Sequence, residues 1–372
     1  MSFLNRLKKN SAIEGTAILS DSKFFDNEMI PLDIPVMNIA FSGMLEGGIT
    51  AGLTVFAGPS KHGKSVMSAV CARAFMNKYP DAIMLFYDSE FGTPKSYFQS
   101  LGIAPERILH CPLLNIENLK FDIVKQLDFI KSEAPDQKIF IFIDSFGNMA
   151  SKKESQDALD GNAKQDMTRA KELKSLTRIV TPYLRIMNIS MVAVAHTYQT
   201  MEMFSKTVVS GGTGIMYSAD NVFVMGRRQE KEGKEISGFN LIMNVEKSRY
   251  CREKVSFPIE LRFGKGINKY TGLLDVALKT GDVVAPKQGW YSRMIDGVLE
   301  EKKWRAKATN TSEFWQEMLD SETFKENIKQ LYYISSSNLI DDDLDEMDDE
   351  PEIDLNSVNF TADLDSDIDY DE

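Results

Sequence analysis

Residues 53–65 read Leu53-Thr54-Val55-Phe56-Ala57-Gly58-Pro59-Ser60-Lys61-His62-Gly63-Lys64-Ser65. The last eight positions fit the phosphate-loop pattern G-x-x-x-x-G-K-[ST] without a mismatch. The apolar run before the loop predicts a buried strand, and residues 65–76 predict a helix that leaves it. A strand, a phosphate loop and a helix in this order predict an α/β fold that binds a nucleotide at the loop.

The residue types in the loop suit the binding of a nucleotide phosphate. Gly58 and Gly63 permit a backbone with positive φ whose N–H groups form an anion nest, and the start of the helix adds its positive dipole end. Lys64 would reach the β- and γ-phosphates, and Ser65 would supply a hydroxyl group to Mg²⁺. The other residues predicted to line this site are Pro59, Ser60, Lys61 and His62. The alternative is a chance glycine-rich turn, which the flanking strand and helix disfavour.

Net charge is unevenly distributed along the 372 residues. The formal charge is −12, but residues 341–372 contain sixteen Asp or Glu and no Lys or Arg, so residues 1–340 carry +4. This composition predicts a disordered acidic tail on a mildly basic body. The alternatives for the tail are competition with a polyanion for the basic body, recruitment of a basic partner, or simple solubilisation.

Cysteine usage and hydropathy predict a cytoplasmic protein. Cys71, Cys111 and Cys251 form no C-x-x-C pair, which fits a reducing compartment. No apolar run approaches the length of ~18 residues that spans a membrane. We therefore expect no membrane partner.

Further apolar runs at 83–87, 139–143 and 190–195 lack polar alternation and are separated by helical patterns at 116–131 and 165–181. This arrangement predicts a mostly parallel central sheet covered by helices on both faces. Residues 222–225 and 240–245 predict two more strands in a hairpin around a charged turn at 229–235. An amphipathic helix is predicted at 2–10.

The polar residues that follow these strands should converge at one edge of the sheet. Asp144 is placed where a Walker-B carboxylate would hold Mg²⁺, or where a strand-end Asp would cap a helix. Glu90 could take a proton from the water that attacks the γ-phosphate, or could be a solvated strand-end residue. His196 could contact the γ-phosphate, with a structural histidine as the equal alternative.

Two basic groups could bind anions. Lys247 and Arg249 lie two apart and could grip a phosphate, although solvated charges are favoured on spacing alone. Lys171, Lys174 and Arg178 fall on one helix face that could follow a polyanionic backbone, although such faces are more often merely solvated.

Two long connections, at about 149–164 and 197–220, leave the sheet edge that carries the phosphate loop. Loops of more than ~12 residues are usually functional or disordered. The second connection contains Tyr198, Met201, Met203 and Phe204, which have little reason to be exposed unless they meet bases or a partner.

The order of these motifs is similar to that of the RecA-type recombinases. The segments that carry the resemblance are the phosphate loop, Tyr87-Asp88-Ser89-Glu90, Ile143-Asp144-Ser145, the two long loops, Lys247-Ser248-Arg249 and Phe263-Gly264-Lys265-Gly266-Ile267-Asn268. The stretches 86–92, 203–208 and 211–214 resemble more closely the UvsX recombinases of large tailed bacteriophages. The resemblance covers roughly residues 20–335.

The resemblance implies a RecA-like P-loop core and a DNA-dependent ATPase that uses ATP and Mg²⁺. Such a protein forms helical filaments on single-stranded DNA and pairs it with homologous duplex DNA in recombination, repair and recombination-dependent replication. It also implies work with a recombination mediator and a single-strand-binding protein, in the host cytoplasm if the chain is phage-encoded.

Residue roles implied by the resemblance follow the motifs. Glu90 would activate water, Asp144 would be the Walker-B carboxylate, and Tyr97 would stack on adenine. His196 would sense the γ-phosphate where many relatives carry Gln, and Lys247 with Arg249 would reach the ATP of the adjacent subunit. Arg178 and the Gly211-Gly212 backbone match DNA-phosphate contacts of the family. Together with the basic helix face and the apolar residues of the second loop, the residues predicted to contact DNA are Lys171, Lys174, Arg178, Met201, Phe204, Gly211 and Gly212.

Four segments follow from this organisation. We predict an N-terminal helix and polymerisation segment at 1–30, a RecA-like ATPase core at 31–288, a small C-terminal subdomain at 289–340 and the acidic tail at 341–372. A hexameric helicase is the closest alternative, but only about fifty residues precede the phosphate loop. A slow nucleotide-dependent mediator is disfavoured by the intact carboxylates and loops, and a small-molecule kinase by the lack of a second pocket pattern.

Overall fold

The computed structural model describes residues 2–22, 28–161, 168–200, 207–233, 235–295 and 297–334, without the side chains of Thr213 and Glu232. Met201, Phe204 and the acidic segment 341–372 lie outside the described residues, so the predictions for them remain predictions. Within the described part of the chain, no helix is long and apolar enough to cross a membrane.

The strands are numbered in chain order: β1 (Gly52–Ala57), β2 (Ile83–Asp88), β3 (Ile108–Pro112), β4 (Ile139–Asp144), β5 (Ser190–Ala195), β6 (Thr197–Gln199), β7 (Thr207–Val209), β8 (Asn221–Glu232), β9 (Glu235–Lys247), β10 (Ser256–Arg262), β11 (Gly266–Ile267), β12 (Val283–Lys287), β13 (Trp290–Ile295), β14 (Val298–Leu299) and β15 (Trp304–Arg305). The helices are α1 (Phe3–Asn10), α2 (Pro35–Ser42), α3 (Lys64–Lys78), α4 (Lys95–Ser100), α5 (Ile116–Glu133), α6 (Lys152–Leu159), α7 (Thr168–Ile186), α8 (Thr213–Ser218), α9 (Leu273–Thr280), α10 (Ser312–Asp320) and α11 (Glu322–Tyr332).

A nine-stranded sheet forms the centre of the fold, in the order β11-β10-β9-β8-β1-β5-β4-β2-β3. The strands from β8 to β3 are parallel to one another, and β9, β10 and β11 extend the sheet in antiparallel pairs. The predicted α/β fold with a mostly parallel central sheet is therefore confirmed.

Both faces of this sheet are buried, which explains the apolar runs without polar alternation. In β4, Phe140 and Phe142 belong to one core cluster, whereas Ile139, Ile141 and Ile143 belong to the other. Helices α2 and α3 contribute to the first cluster, and α5 and α7 cover the opposite face. Asn115 caps α5 by accepting a hydrogen bond from Asn118 N at 2.9 Å.

The hairpin of β8 and β9 is longer than its sequence pattern predicts. The predicted turn at 229–235 is wrong in extent, because the two strands stay paired as far as Glu232 and Glu235. Gly233, with φ 68°, provides the left-handed backbone that the tight turn requires.

The two predicted long loops contain regular structure. The first includes α6, whose start has a capping box in which Ser151 accepts from Glu154 N and Glu154 reaches back to Ser151 N. The second includes the β6–β7 hairpin and α8. The described parts of both connections therefore include regular secondary structure, and their role as DNA-binding loops remains a prediction.

The ends of the described chain carry small additional elements. The predicted helix near the N-terminus is present as α1, and its apolar side chains Phe3, Leu4 and Leu7 are exposed. Near the C-terminus, Trp304, Phe314 and Trp315 are buried beside a small sheet of β12, β13, β14 and β15. The four segment boundaries predicted above remain predictions.

Candidate functional site

The phosphate loop lies between β1 and α3. Gly63 is the N-cap of α3 with φ 77°, a left-handed backbone that favours glycine, and a Cβ atom there would lie 2.5 Å from Leu241 Cδ1, so that side chain would have to shift. The buried Lys64 ammonium group donates to Pro59 O at 2.6 Å, and burial lowers its pKa. His62 Nδ1 donates to Ser60 O at 2.8 Å.

The Asp144 carboxylate is placed at the end of β4, facing this loop. It accepts a hydrogen bond from the Ser65 side chain, but its buried Oδ1 has no hydrogen-bond partner among the described residues. Burial raises the pKa of Asp144 to about 6, and the nearby Glu90 carboxylate adds to the increase. A buried carboxylate oxygen without a donor is a good ligand for a cation, so these residues fit a bound Mg²⁺.

Glu90 and His196 meet across the sheet edge. His196 Nε2 lies 3.1 Å from Glu90 Oε1, and Ser145 Oγ donates to the same oxygen at 2.7 Å. No described residue forms a hydrogen bond to Glu90 Oε2. A Cβ atom on Gly147 would collide with the His196 ring, so the loop after β4 needs glycine to admit this histidine.

Asp88, at the end of β2, fixes the backbone that carries Glu90. Its Oδ1 accepts from Glu90 N at 3.0 Å and from Phe91 N at 2.8 Å, and its Oδ2 lies 3.3 Å from His110 Nε2. The buried Asp88 therefore holds the turn in the orientation that directs Glu90 toward His196.

Tyr97 is placed on α4, half-buried beside the site. Burial raises the pKa of Tyr97 to about 12, and the Asp144 carboxylate contributes to that shift. The Tyr97 hydroxyl group therefore lies close enough to the Asp144 carboxylate to be affected by its negative charge.

Lys247 is the last residue of β9, and Arg249 lies two positions after it. Lys247 Nζ donates to Met216 O at 2.7 Å and to Tyr217 O at 3.2 Å, at the end of α8. Arg249 Nε donates to Asp220 Oδ1. Burial lowers the pKa of Lys247, and the adjacent Arg249 cation adds to the decrease.

The predicted basic helix face and the glycine loop adjoin each other. Lys171, Lys174 and Arg178 are exposed on α7. A Cβ atom on Gly214 would lie 2.8 Å from Lys174 Cβ, and one on Gly212 would lie 4.0 Å from Ala170 Cβ. The start of α8 is therefore packed against the helix that carries the basic stripe, defined as Lys171, Lys174 and Arg178.

The structure places three residues at the site that the sequence analysis did not assign to it. Arg169 donates to Phe146 O and Gly147 O, which ties α7 to the loop after β4. Asp220 is 1% exposed and binds two arginines. The third is Asp88, which holds the backbone of Glu90 and Phe91. The partners of Arg169 and Asp220 are distant in sequence, so no local pattern indicates these two residues, whereas Asp88 lies at the end of an apolar run, two positions before Glu90.

Comparison with known proteins adds independent information. The family model described as "Bacteriophage T4, Recombination and repair protein, C-terminal domain" matches residues 270–328. The chain is 48% identical over 353 residues to the "Recombination and repair protein" of Enterobacteria phage T4, which covers 92% of this chain and 90% of that protein. It is 26% identical over 306 residues to "Protein RecA" of a Picosynechococcus species, covering 80% of this chain and 82% of that protein. A similar match, 24% over 295 residues, is found with "Protein RecA" of Arthrospira platensis, covering 78% and 77%.

Proposed function

The chain belongs to the family of the phage T4 recombination and repair protein, which is related to RecA, and we propose that it is an ATP-dependent DNA strand-exchange recombinase. In this proposal the protein assembles as a helical filament on single-stranded DNA and pairs that DNA with a homologous duplex. The observation that carries the proposal is the meeting of Lys64, Ser65, Asp144, Glu90 and His196 at one sheet edge. Helix α7, which carries the basic stripe, is tied to the loop after β4 through Arg169.

Nucleotide binding is assigned to the phosphate loop, from Gly58 to Ser65. Lys64, now held by Pro59 O, would exchange that carbonyl for phosphate oxygens. Ser65 and the unpartnered Oδ1 of Asp144 would hold Mg²⁺, which when bound neutralises charge on the phosphates. Tyr97 would cover the adenine.

Glu90 is assigned the role of general base in ATP hydrolysis. Its Oε1 accepts from Ser145 and contacts His196, which orients the carboxylate and leaves Oε2 to receive the proton of the attacking water. Asp88 fixes the Glu90 backbone, so the carboxylate is held before the nucleotide arrives.

We assign His196 the role of coupling hydrolysis to DNA binding. Its ring contacts Glu90, and its carbonyl oxygen accepts from Ser210 N at 2.7 Å at the base of the β6–β7 hairpin. A change in the hairpin on binding DNA would therefore move the ring that touches the general base. Lys171, Lys174 and Arg178, with the Gly211-Gly212 backbone, would contact DNA phosphates.

Lys247 and Arg249 would reach the ATP of the adjacent protomer, so that turnover depends on assembly. The exposed Phe3, Leu4 and Leu7 of α1 would be covered by that protomer, because a short helix cannot stand alone. We further propose that the protein acts in the host cytoplasm with a mediator and a single-strand-binding protein, and that the tail at 341–372 modulates DNA or partner binding.

A strand-exchange assay tests the function directly. Circular single-stranded DNA, a homologous linear duplex, ATP and Mg²⁺ are incubated with the protein, and joint molecules are separated by gel electrophoresis. We expect joint molecules with the homologous duplex and none with a heterologous duplex. Duplex unwinding without pairing would favour the helicase, and neither pairing nor unwinding would favour the mediator.

A further inference from the structure

The buried Asp220 joins three separate elements at the start of β8. Its Oδ2 accepts from Leu53 N, the second residue of β1, at 2.9 Å. Its Oδ1 accepts from Arg185 Nη2 on α7 at 2.6 Å and from Arg249 Nε after β9. A Cβ atom on Gly52 would collide with this carboxylate, so the chain is also shaped around it.

The two arginines that bind Asp220 differ in solvent exposure. Arg185 has a side chain 23% exposed, whereas the Arg249 side chain is 54% exposed. A backbone N–H and one guanidinium group already compensate a single buried negative charge. Leu53 N–H and Arg185 are therefore sufficient to compensate the buried charge of Asp220, and the hydrogen bond from Arg249 is not needed for that purpose.

Arg249 contacts Asp220 through Nε and not through a terminal Nη group. Asp220 binds the Nε atom, and within the described residues the two terminal Nη groups of Arg249 have no hydrogen-bond partner. The pair of Nη groups can bind a phosphate in a bidentate manner even when Nε is already occupied. A grip at Nε fixes the plane of the group and leaves that fork toward solvent.

Lys247 is fixed next to Arg249 by a different anchor. Met216 O and Tyr217 O, at the end of α8, hold its ammonium group. Both anchors lie within the segment 216–220, directly before β8. One short segment of the chain thus sets the direction of both cations.

We propose that Asp220 is a positioning residue for Arg249, which orients the guanidinium so that its Nη groups meet the nucleotide phosphates of the next protomer. This inference rests on the proposed function, because it assumes that Arg249 acts across the subunit interface. Without the Nε contact, the long Arg249 side chain would sample several rotamers and would lose part of its effect in the transition state.

A double-mutant cycle tests this role against a purely structural one. Asp220→Asn keeps an oxygen acceptor for Leu53 N but removes the charge that holds Arg249. We measure kcat and KM for DNA-stimulated ATP hydrolysis in Asp220→Asn, Arg249→Ala and the double variant, with thermal melting as the folding check. Arg185→Met is the matched control, because it removes the other guanidinium from the same carboxylate.

We expect Asp220→Asn to lower kcat about tenfold with KM for ATP within about twofold of wild type. In the Arg249→Ala background the same change should lower kcat by less than about twofold further, and Arg185→Met should retain kcat within about twofold. The inference would be overturned if the kcat losses of the two single variants multiplied in the double variant, or if Arg185→Met lost as much kcat as Asp220→Asn. Either result would assign Asp220 a structural role.

Two outcomes separate this inference from the function on which it rests. Absence of DNA-stimulated hydrolysis in the wild type contradicts the proposed function itself. Normal stimulation in the wild type with unchanged kcat in Asp220→Asn contradicts only the positioning role.

If Asp220→Asn fails to fold, the Nε–H signal of Arg249 in the ¹⁵N NMR spectrum of the wild type, assigned by its loss in Arg249→Lys, replaces the cycle. Slow exchange of this proton with water supports the Nε grip, and exchange as fast as in free arginine overturns it.

Discussion

The His196 imidazole and the Glu90 carboxylate lie 3.1 Å apart, from His196 Nε2 to Glu90 Oε1, although 106 positions separate them in the chain. The contact joins the end of β5 to the turn after β2, across β4, which lies between those strands. It connects the candidate general base with the residue from which the β6–β7 hairpin begins. The chemistry and the response to DNA are thereby expected to depend on each other.

Replacement of the candidate base should separate binding from hydrolysis. Glu90→Gln retains an oxygen that accepts from Ser145 but cannot take a proton, so we expect at least about a 100-fold loss in ATP turnover. Binding of a fluorescent ATP analogue should stay within about threefold of wild type. Glu106→Gln, an exposed residue outside the site, is the control. Retained turnover in Glu90→Gln would remove Glu90 from the proposed mechanism.

The proposed coupling role of His196 predicts that its replacement lowers the stimulation of ATP turnover by DNA. In His196→Ala, the ratio of DNA-stimulated to DNA-independent ATP turnover should fall about tenfold, because the hairpin no longer contacts Glu90 through the ring. His196→Gln restores a hydrogen-bonding side chain and should recover most of the ratio. A ratio equal to that of wild type in His196→Ala would assign the histidine a packing role only.

The basic stripe predicts a salt-dependent effect. Lys174→Ala combined with Arg178→Ala should weaken binding of a fluorescent single-stranded oligonucleotide and reduce the slope of log K against log salt by about 1 for each lost phosphate contact. Lys125→Ala removes an exposed lysine from the neighbouring helix α5 and should change neither quantity. An equal effect of Lys125→Ala would indicate general electrostatics rather than a defined path.

The C-terminal elements contain a charge pair whose effect on stability depends on pH. Arg293 donates to both oxygens of Glu300, at 2.8 Å each, and Trp304 Nε1 donates to Glu300 Oε2 at 2.9 Å. The hydrogen bonds from Arg293 hold the pKa of Glu300 below its usual range. The pair therefore stabilises the fold above the ordinary pKa of glutamate, and this contribution is lost as the pH falls through the lowered pKa.

Glu300→Gln should accordingly reduce the free energy of unfolding by about 2 kcal/mol at pH 7, because it removes the carboxylate that the nearly buried Arg293 contacts through two nitrogens and leaves it only the more exposed Glu317 as an ion-pair partner. The difference from wild type should shrink in acid, as measured by urea unfolding at pH 7 and at successively lower pH. The adjacent exposed Glu301→Gln is the control at each pH. A difference that stays constant across this range would show that the charge of Glu300 is not its source.

Continuous apolar runs made the central sheet predictable. Residues 139–143 are buried on both faces, and no other short element accounts for such a run as well. In contrast, β3 was missed because it is an edge strand in which His110 and Leu109 are exposed. Helix α2 was missed because all eight of its residues are buried, so it has no polar face to reveal a helical period.

The site was predictable where a residue ends an apolar strand. Asp144 and His196 directly follow such runs, and parallel pairing then determines that they share an edge. Asp220 could not be found this way, because its partners Leu53 and Arg185 lie 167 and 35 positions away. The capping box of Ser151 and Glu154 was visible in the sequence and would have revealed α6 inside the first long connection.

The most direct test of the central claim is ATP hydrolysis with and without single-stranded DNA, with the same samples imaged by electron microscopy. The proposed recombinase should show strong stimulation by DNA together with helical filaments as long as the DNA. Closed rings, or weak turnover that is independent of DNA and occurs without filaments, would contradict it.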